Sequence, residues 1–171
     1  MEIGAQIHLL RAVHRRGHRG VYLVRILICY ASFSGNTKEV AEIIEQRLAK
    51  EGFSVEVHRI RRLNRVIPDP SRFDLFFLGT FTWGRGDTPD IVKDFVRQIG
   101  YKPPNVFVFG TGDTQFGGDD LFCKACDKLA TFYGSTYAPL KIEQSPRGAQ
   151  EETVTKWTEG VLKHWINSSK K

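Results

Sequence analysis

The stretch Tyr30-Ala31-Ser32-Phe33-Ser34-Gly35-Asn36-Thr37 stands between an apolar run, Ile26-Leu27-Ile28-Cys29, and a helical pattern that begins near Thr37. A short buried strand ends there, a loop of hydroxyls and a glycine follows, and a helix starts at once. Backbone N–H groups and the positive end of a helix dipole converge on such a loop, which suits it to an anion and most naturally to a phosphate. Gly35, with no Cβ, lets the backbone close around phosphate oxygens, and Ser32, Ser34, Asn36 and Thr37 can add side-chain hydrogen bonds. Lys38 lies inside the helix start and not after a second glycine, so the GxxxxGK[ST] pattern is absent. The loop is therefore built for a phosphate that is held, not transferred. The same residue types also cap ordinary strand-helix turns that bind nothing, so the loop alone leaves both readings open.

Outward from the loop, apolar spacing predicts strands over 23–30, 53–60, 73–79, 105–109 and 136–142, and helices over 37–51, 89–99, 119–133 and 151–165. The third strand is almost wholly apolar, as expected when both sheet faces are covered. The order β-α-β-β-α-β-α-β-α predicts an α/β fold, a doubly wound, mostly parallel five-stranded sheet with helices on both faces and right-handed crossovers. Ligands of such a sheet sit at the carboxyl ends of its strands. Two more unusual loops fall at that edge, Thr80-Phe81-Thr82-Trp83-Gly84-Arg85-Gly86-Asp87 and Gly110-Thr111-Gly112-Asp113-Thr114-Gln115-Phe116-Gly117-Gly118. Together the three loops describe a slot for a flat, phosphorylated ligand.

The 171 residues fit one domain with a substantial core, and 41% hydrophobic with 26% charged residues is ordinary for a globular protein. No apolar segment reaches the roughly 18 to 20 residues of a membrane span, and no secretory signal is evident, so a cytoplasmic protein is expected. Three cysteines make no disulfide framework. Cys123 and Cys126 form a C-x-x-C, but their surroundings have helical periodicity, which favours buried helix cysteines over a redox pair. The net charge of +6 is concentrated in part near the start, where Arg11, Arg15, Arg16 and Arg19 stand against Glu2. Residues 1–21 are expected to be a basic extension outside the fold, and 22–171 the folded domain.

These residues carry a resemblance. The run from Ile28 through Ser32, Gly35, Thr37 and Ala41 to Ile44 resembles the phosphate signature of the flavodoxins, with Cys29 where that pattern prefers an aliphatic or aromatic residue. Thr82-Trp83-Gly84 resembles the loop whose aromatic ring stacks on the flavin, and Gly112-Asp113 with Phe116 resembles the second flavin loop. Ser145-Pro146-Arg147-Gly148, leading to Trp157, resembles the end of the short-chain class. The resemblance covers about residues 24–166.

It implies a parallel sheet of order 2-1-3-4-5, FMN as cofactor, no catalytic residue, no metal, and a carrier of single low-potential electrons. Ser32, Phe33, Ser34, Gly35, Asn36 and Thr37 are then the phosphate-side residues. Thr80, Phe81, Thr82, Trp83 and Gly84 form the second loop, and Thr111, Gly112, Asp113, Phe116 and Gly117 the third. Trp83 is expected on one flavin face and Phe116 on the other, with backbone near Gly84 and Asp113 at the ring edge. Partners implied are an NADPH-dependent flavodoxin/ferredoxin reductase and redox acceptor enzymes, met by transient docking of a monomer, with neither nucleic acid nor membrane. Alternatives are a dedicated activator of a radical enzyme such as ribonucleotide reductase, and an FMN-dependent NAD(P)H:quinone oxidoreductase. A receiver-type signalling domain is discounted, because Ile28, Cys29 and Tyr30 stand where its aspartates belong.

Two features depart from the pattern. Arg85 occupies a slot that is often acidic in flavodoxins, and a positive charge there favours the fully reduced, anionic flavin. The cluster Arg59, Arg61, Arg62 and Arg65 follows the second strand on the edge that carries the loops, so partners are expected to meet mixed charge. A solvated basic loop is the plainer reading of that cluster.

Overall fold

The computed structural model describes residues 23–62 and 66–169. The basic extension, and Arg65 of the arginine cluster, lie outside the described residues. Strand β1 (Arg25–Tyr30) leads through the hydroxyl loop into α1 (Asn36–Lys50), then β2 (Ser54–Arg59), β3 (Leu75–Phe81), α2 (Asp90–Ile99), β4 (Val106–Gly112), α3 (Lys124–Tyr133), β5 (Leu140–Glu143) and α4 (Ala149–Ser168). The five strands form one parallel sheet in the order β2-β1-β3-β4-β5, as expected.

Alternation along β1 sets the two cores. Ile26 and Ile28 face the side covered by Val40, Ile44 and Leu48 of α1 and by Val154, Val161 and Leu162 of α4. Leu27 and Cys29 face the other side with Val92 and Phe95 of α2 and Cys126 and Leu129 of α3. A strand buried on both faces cannot alternate apolar with polar, which is why β1, β3 and β4 read as continuous hydrophobic runs. Burial pushes the Cys29 thiol well up; a hydrogen bond with Cys123, and then burial, do the same for Cys126. All three cysteines are buried and unpaired, which fits their reading as core residues.

The differences from the expected boundaries lie at the edge that matters. β3 and β4 run two and three residues beyond the spans read from the sequence, because Thr80 and Phe81 pair with Gly110 and Thr111, and Gly110 to Gly112 pair with Lys141 to Glu143. α3 starts at Lys124, not at 119: Gly117, Gly118 and Cys123 all take left-handed φ (143°, 66° and 49°), and the chain turns repeatedly before it can enter a helix. β5 starts only at Leu140, since Pro139 has no N–H to donate to a ladder. α4 is longer than expected at both ends.

Candidate functional site

Parallel pairing places the carboxyl ends of β1, β3 and β4 side by side, with Tyr30 level with Gly79 and Phe81 level with Thr111. The three loops read from the sequence therefore share one edge.

In the first loop Gly35 is the N-cap of α1, with φ 100° and ψ −18°, and no side chain caps the helix. The Ser32 hydroxyl instead accepts the Gly35 N–H at 3.1 Å. A Cβ placed on Gly35 would meet nothing within 4 Å, so open space adjoins the uncapped helix start. Helix amides without a cap, beside free space and hydroxyls, are suited to an anion. Thr37 is buried, and its hydroxyl is hydrogen-bonded to that of Thr111 at 2.8 Å, which fastens the first loop to the end of β4.

The second loop is closed by two backbone hydrogen bonds, Trp83 N–H to the Asp87 carbonyl at 2.9 Å and Asp87 N–H to the Trp83 carbonyl at 2.8 Å. Gly84 turns the chain inside this loop with φ 52°, a conformation an L side chain rarely adopts. Lys128 Nζ donates to the Gly86 carbonyl at 2.8 Å and lies 3.4 Å from the Asp87 carboxylate, so α3 braces the loop from behind. Arg85 is exposed at its tip. Trp83 is 54% exposed and packs edge-on against Phe33 of the first loop (ring centroids 5.3 Å apart) and Phe81 (6.0 Å).

The third loop is held by its own Asp113 and by Glu143 and Gln144 at the end of β5. Asp113 accepts the Gln115 N–H at 2.8 Å and a Gln144 amide hydrogen at 3.1 Å, while Glu143 accepts from the Thr114 N–H at 2.9 Å and its hydroxyl at 3.2 Å. Phe116 ends the short 3-10 turn Thr114–Phe116 and is 74% exposed. Phe33 is 75% exposed, so the three loops carry three aromatic rings in water, an arrangement whose cost a flat ligand would relieve.

The structure thus brings Ser32, Phe33, Ser34, Gly35, Asn36, Thr37, Phe81, Thr82, Trp83, Gly84, Thr111, Gly112, Asp113, Phe116 and Gly117 to one edge. Thr80 is at the same edge but is fully buried, with its hydroxyl donating to the Phe81 carbonyl at 2.9 Å. His58 lies on β2, stacked on Phe95, and burial lowers its pKa; His164 on α4 is hydrogen-bonded to Thr136. Neither belongs to the three loops. Among the described residues there is no group of three or more His, Cys, Asp or Glu that could hold a metal ion, and no helix is long and apolar enough to cross a membrane.

Residue spacing gave no sign of two supports. Glu143 braces the third loop from the end of β5. Glu39, in the first turn of α1, accepts from the Ser145 hydroxyl and from the Arg147 guanidinium, tying the cradle helix to the segment before α4. The Arg147 hydrogen bond, then that of Ser145, holds the Glu39 carboxyl below the usual carboxylate range. A depressed folded pKa contributes stability above the unfolded value of about 4.3 and loses it as pH falls through the folded value. Glu39→Gln is expected to cost at most about 1 kcal/mol at neutral pH, because the pair is partly solvated. Urea unfolding should show the difference from the parent vanishing in acid, at pH values below the folded pKa.

The profile of the family described as flavodoxin matches residues 28–157. Probable flavodoxin 2 of Bacillus subtilis is 36% identical over 143 residues, covering 77% of this chain and 90% of that protein. Probable flavodoxin 1 of the same organism is 30% identical over 152 residues, covering 82% and 91%. The crystal structure of oxidised flavodoxin 1 from Bacillus cereus superposes with a TM-score of 0.70 at 26% identity, covering 82% of this chain and 98% of that one. The matched span takes in all three loops, and the strand order that sets them side by side is shared; the chain belongs to the flavodoxin family.

Proposed function

We propose that this chain carries single electrons on an FMN seated across the three loops, passing them from an NADPH-dependent reductase to acceptor enzymes as a cytoplasmic monomer. Family membership supports the cofactor and the electron-carrier class. The observation that carries the placement is the uncapped start of α1 at Gly35, open to space and joined through Thr37 and Thr111 to the aromatic loops.

FMN supplies the redox chemistry, accepting one electron and then another. The chain's own residues bind, orient and exclude water. Ser32, Ser34, Gly35, Asn36 and Thr37 hold the phosphate by hydroxyls and backbone amides. Trp83 would cover one face of the ring and Phe116 the other. Backbone at Gly84 and Asp113 meets the ring edge, and the positive φ of Gly84 leaves that peptide free to reorient at little cost. With both faces covered, little room is left for a second substrate, which favours a carrier over a quinone reductase.

The test is the visible spectrum of the purified protein with FMN, followed by NAD(P)H oxidation with quinone in the presence and absence of an added flavodoxin reductase. A yellow protein whose turnover requires the reductase is expected. Colourless protein that takes up no FMN would end the reading, and reductase-independent quinone turnover would replace the carrier with an enzyme.

A further inference from the structure

Arg59 is the last residue of β2, paired in register with Tyr30 at the point where β1 gives way to the first loop. The next residue continues that pairing, with the Ile60 N–H donating to the Tyr30 carbonyl at 2.8 Å. From this position the Arg59 side chain crosses to the loop, and its Nη2–H donates to the Ser32 carbonyl at 3.3 Å. The guanidinium is thereby held against the segment that forms the phosphate cradle, although 27 residues separate the two in sequence.

Two further charged side chains near the helix start have partners of their own. Lys38 lies 3.3 Å from Glu42 one turn along α1, and Glu39 is turned to Ser145 and Arg147. The remaining cradle groups, hydroxyls and backbone amides, are neutral. A phosphate monoester carries a charge between −1.5 and −2 at neutral pH by analogy with phosphorylated side chains, roughly, and an arginine pinned at its rim is complementary to it.

We propose that Arg59 is a positioning and charge-complementing residue for the cofactor's phosphate. It fixes the Ser32 carbonyl, so that the loop's amides stay turned to the cradle, and it adds a phosphate-selective, salt-sensitive contribution to FMN affinity. This inference rests on FMN occupying the three loops.

The experiment compares FMN with riboflavin, which lacks the phosphate, by quenching of flavin fluorescence on titration with apoprotein at low and high potassium chloride. The proteins are the parent, Arg59→Met and Arg59→Lys. Arg59→Met is expected to weaken FMN about tenfold at low salt, equivalent to about 1.4 kcal/mol, to leave riboflavin within about twofold, and to flatten the salt dependence of FMN binding. Arg59→Lys keeps the charge without the planar fork and is expected to retain most of that salt dependence. Equal loss of FMN and riboflavin in Arg59→Met would reduce Arg59 to a loop support and overturn the proposal, as would unchanged FMN binding. A parent protein that binds neither flavin would instead overturn the FMN reading, and this inference with it.

Discussion

Gly110→Ala is expected to lower the stability of the fold by about 3 kcal/mol, the upper part of the range for overpacking. A Cβ at this position would lie 2.3 Å from the Thr80 carbonyl oxygen on β3 and 2.4 Å from the Cys126 sulfur on α3. Neither neighbour can move cheaply. The carbonyl belongs to the central ladder, and the sulfur is on a fully buried side chain. The strain would separate β4 from β3 or lift α3 from the sheet, and both support the second and third loops. Urea unfolding followed by far-UV circular dichroism measures the change. A loss below about 1 kcal/mol would mean that β3, β4 and α3 pack less closely than described. Gly118→Ala is the contrast: its added Cβ meets nothing within 4 Å, so only the local cost of its φ of 66° remains.

Arg85→Asp is expected to make the potential for the second electron more negative by about 100 mV at low ionic strength. Arg85 is exposed at the tip of the loop that Trp83 and Asp87 close. The nearest acid in that loop, Asp87, is engaged by Lys128. A positive charge beside the flavin favours its fully reduced, anionic form, and reversing the charge counts twice. For one unit charge at a separation of roughly 8 Å and an effective dielectric of about 20 to 40, the effect is about 1 to 2 kcal/mol before screening. That corresponds to about 45 to 90 mV for one electron. Added salt should shrink the shift, since the site is exposed. Redox titration with FMN bound reads it directly, and an unchanged or less negative second potential would refute the assignment of Arg85 to the flavin's surroundings.

The two experiments separate support from electrostatics. Gly110 acts through the packing on which the loops stand, and its replacement is read without any cofactor. Arg85 is exposed, so its replacement should leave the urea midpoint nearly unchanged while moving the potential.

Most of the fold was legible in the sequence because strands covered on both faces must be continuously apolar. The runs around Ile28, Phe77 and Val108 could therefore be set in order, and alternation with helices fixes a parallel sheet. The place of the first loop was legible for a local reason: Ser32, Gly35 and Thr37 sit between a strand end and a helix start, and that junction is decided within eight residues. Tertiary pairing decided what local signals could not. Gly110 and Gly112 read as loop because glycine is rare inside strands, yet ladder pairing to β3 and β5 extends the strand through them. Thr80 was placed in the site by its neighbours in sequence, and the pairing that extends β3 through it leaves its side chain fully buried in a strand covered on both faces. The reach of Arg59 to Ser32, the brace of Glu143 on Thr114, and the tie from Glu39 to Arg147 join segments 27, 29 and 108 residues apart. No periodicity records such contacts, because they depend on where the folded backbone brings a long polar side chain against a distant segment.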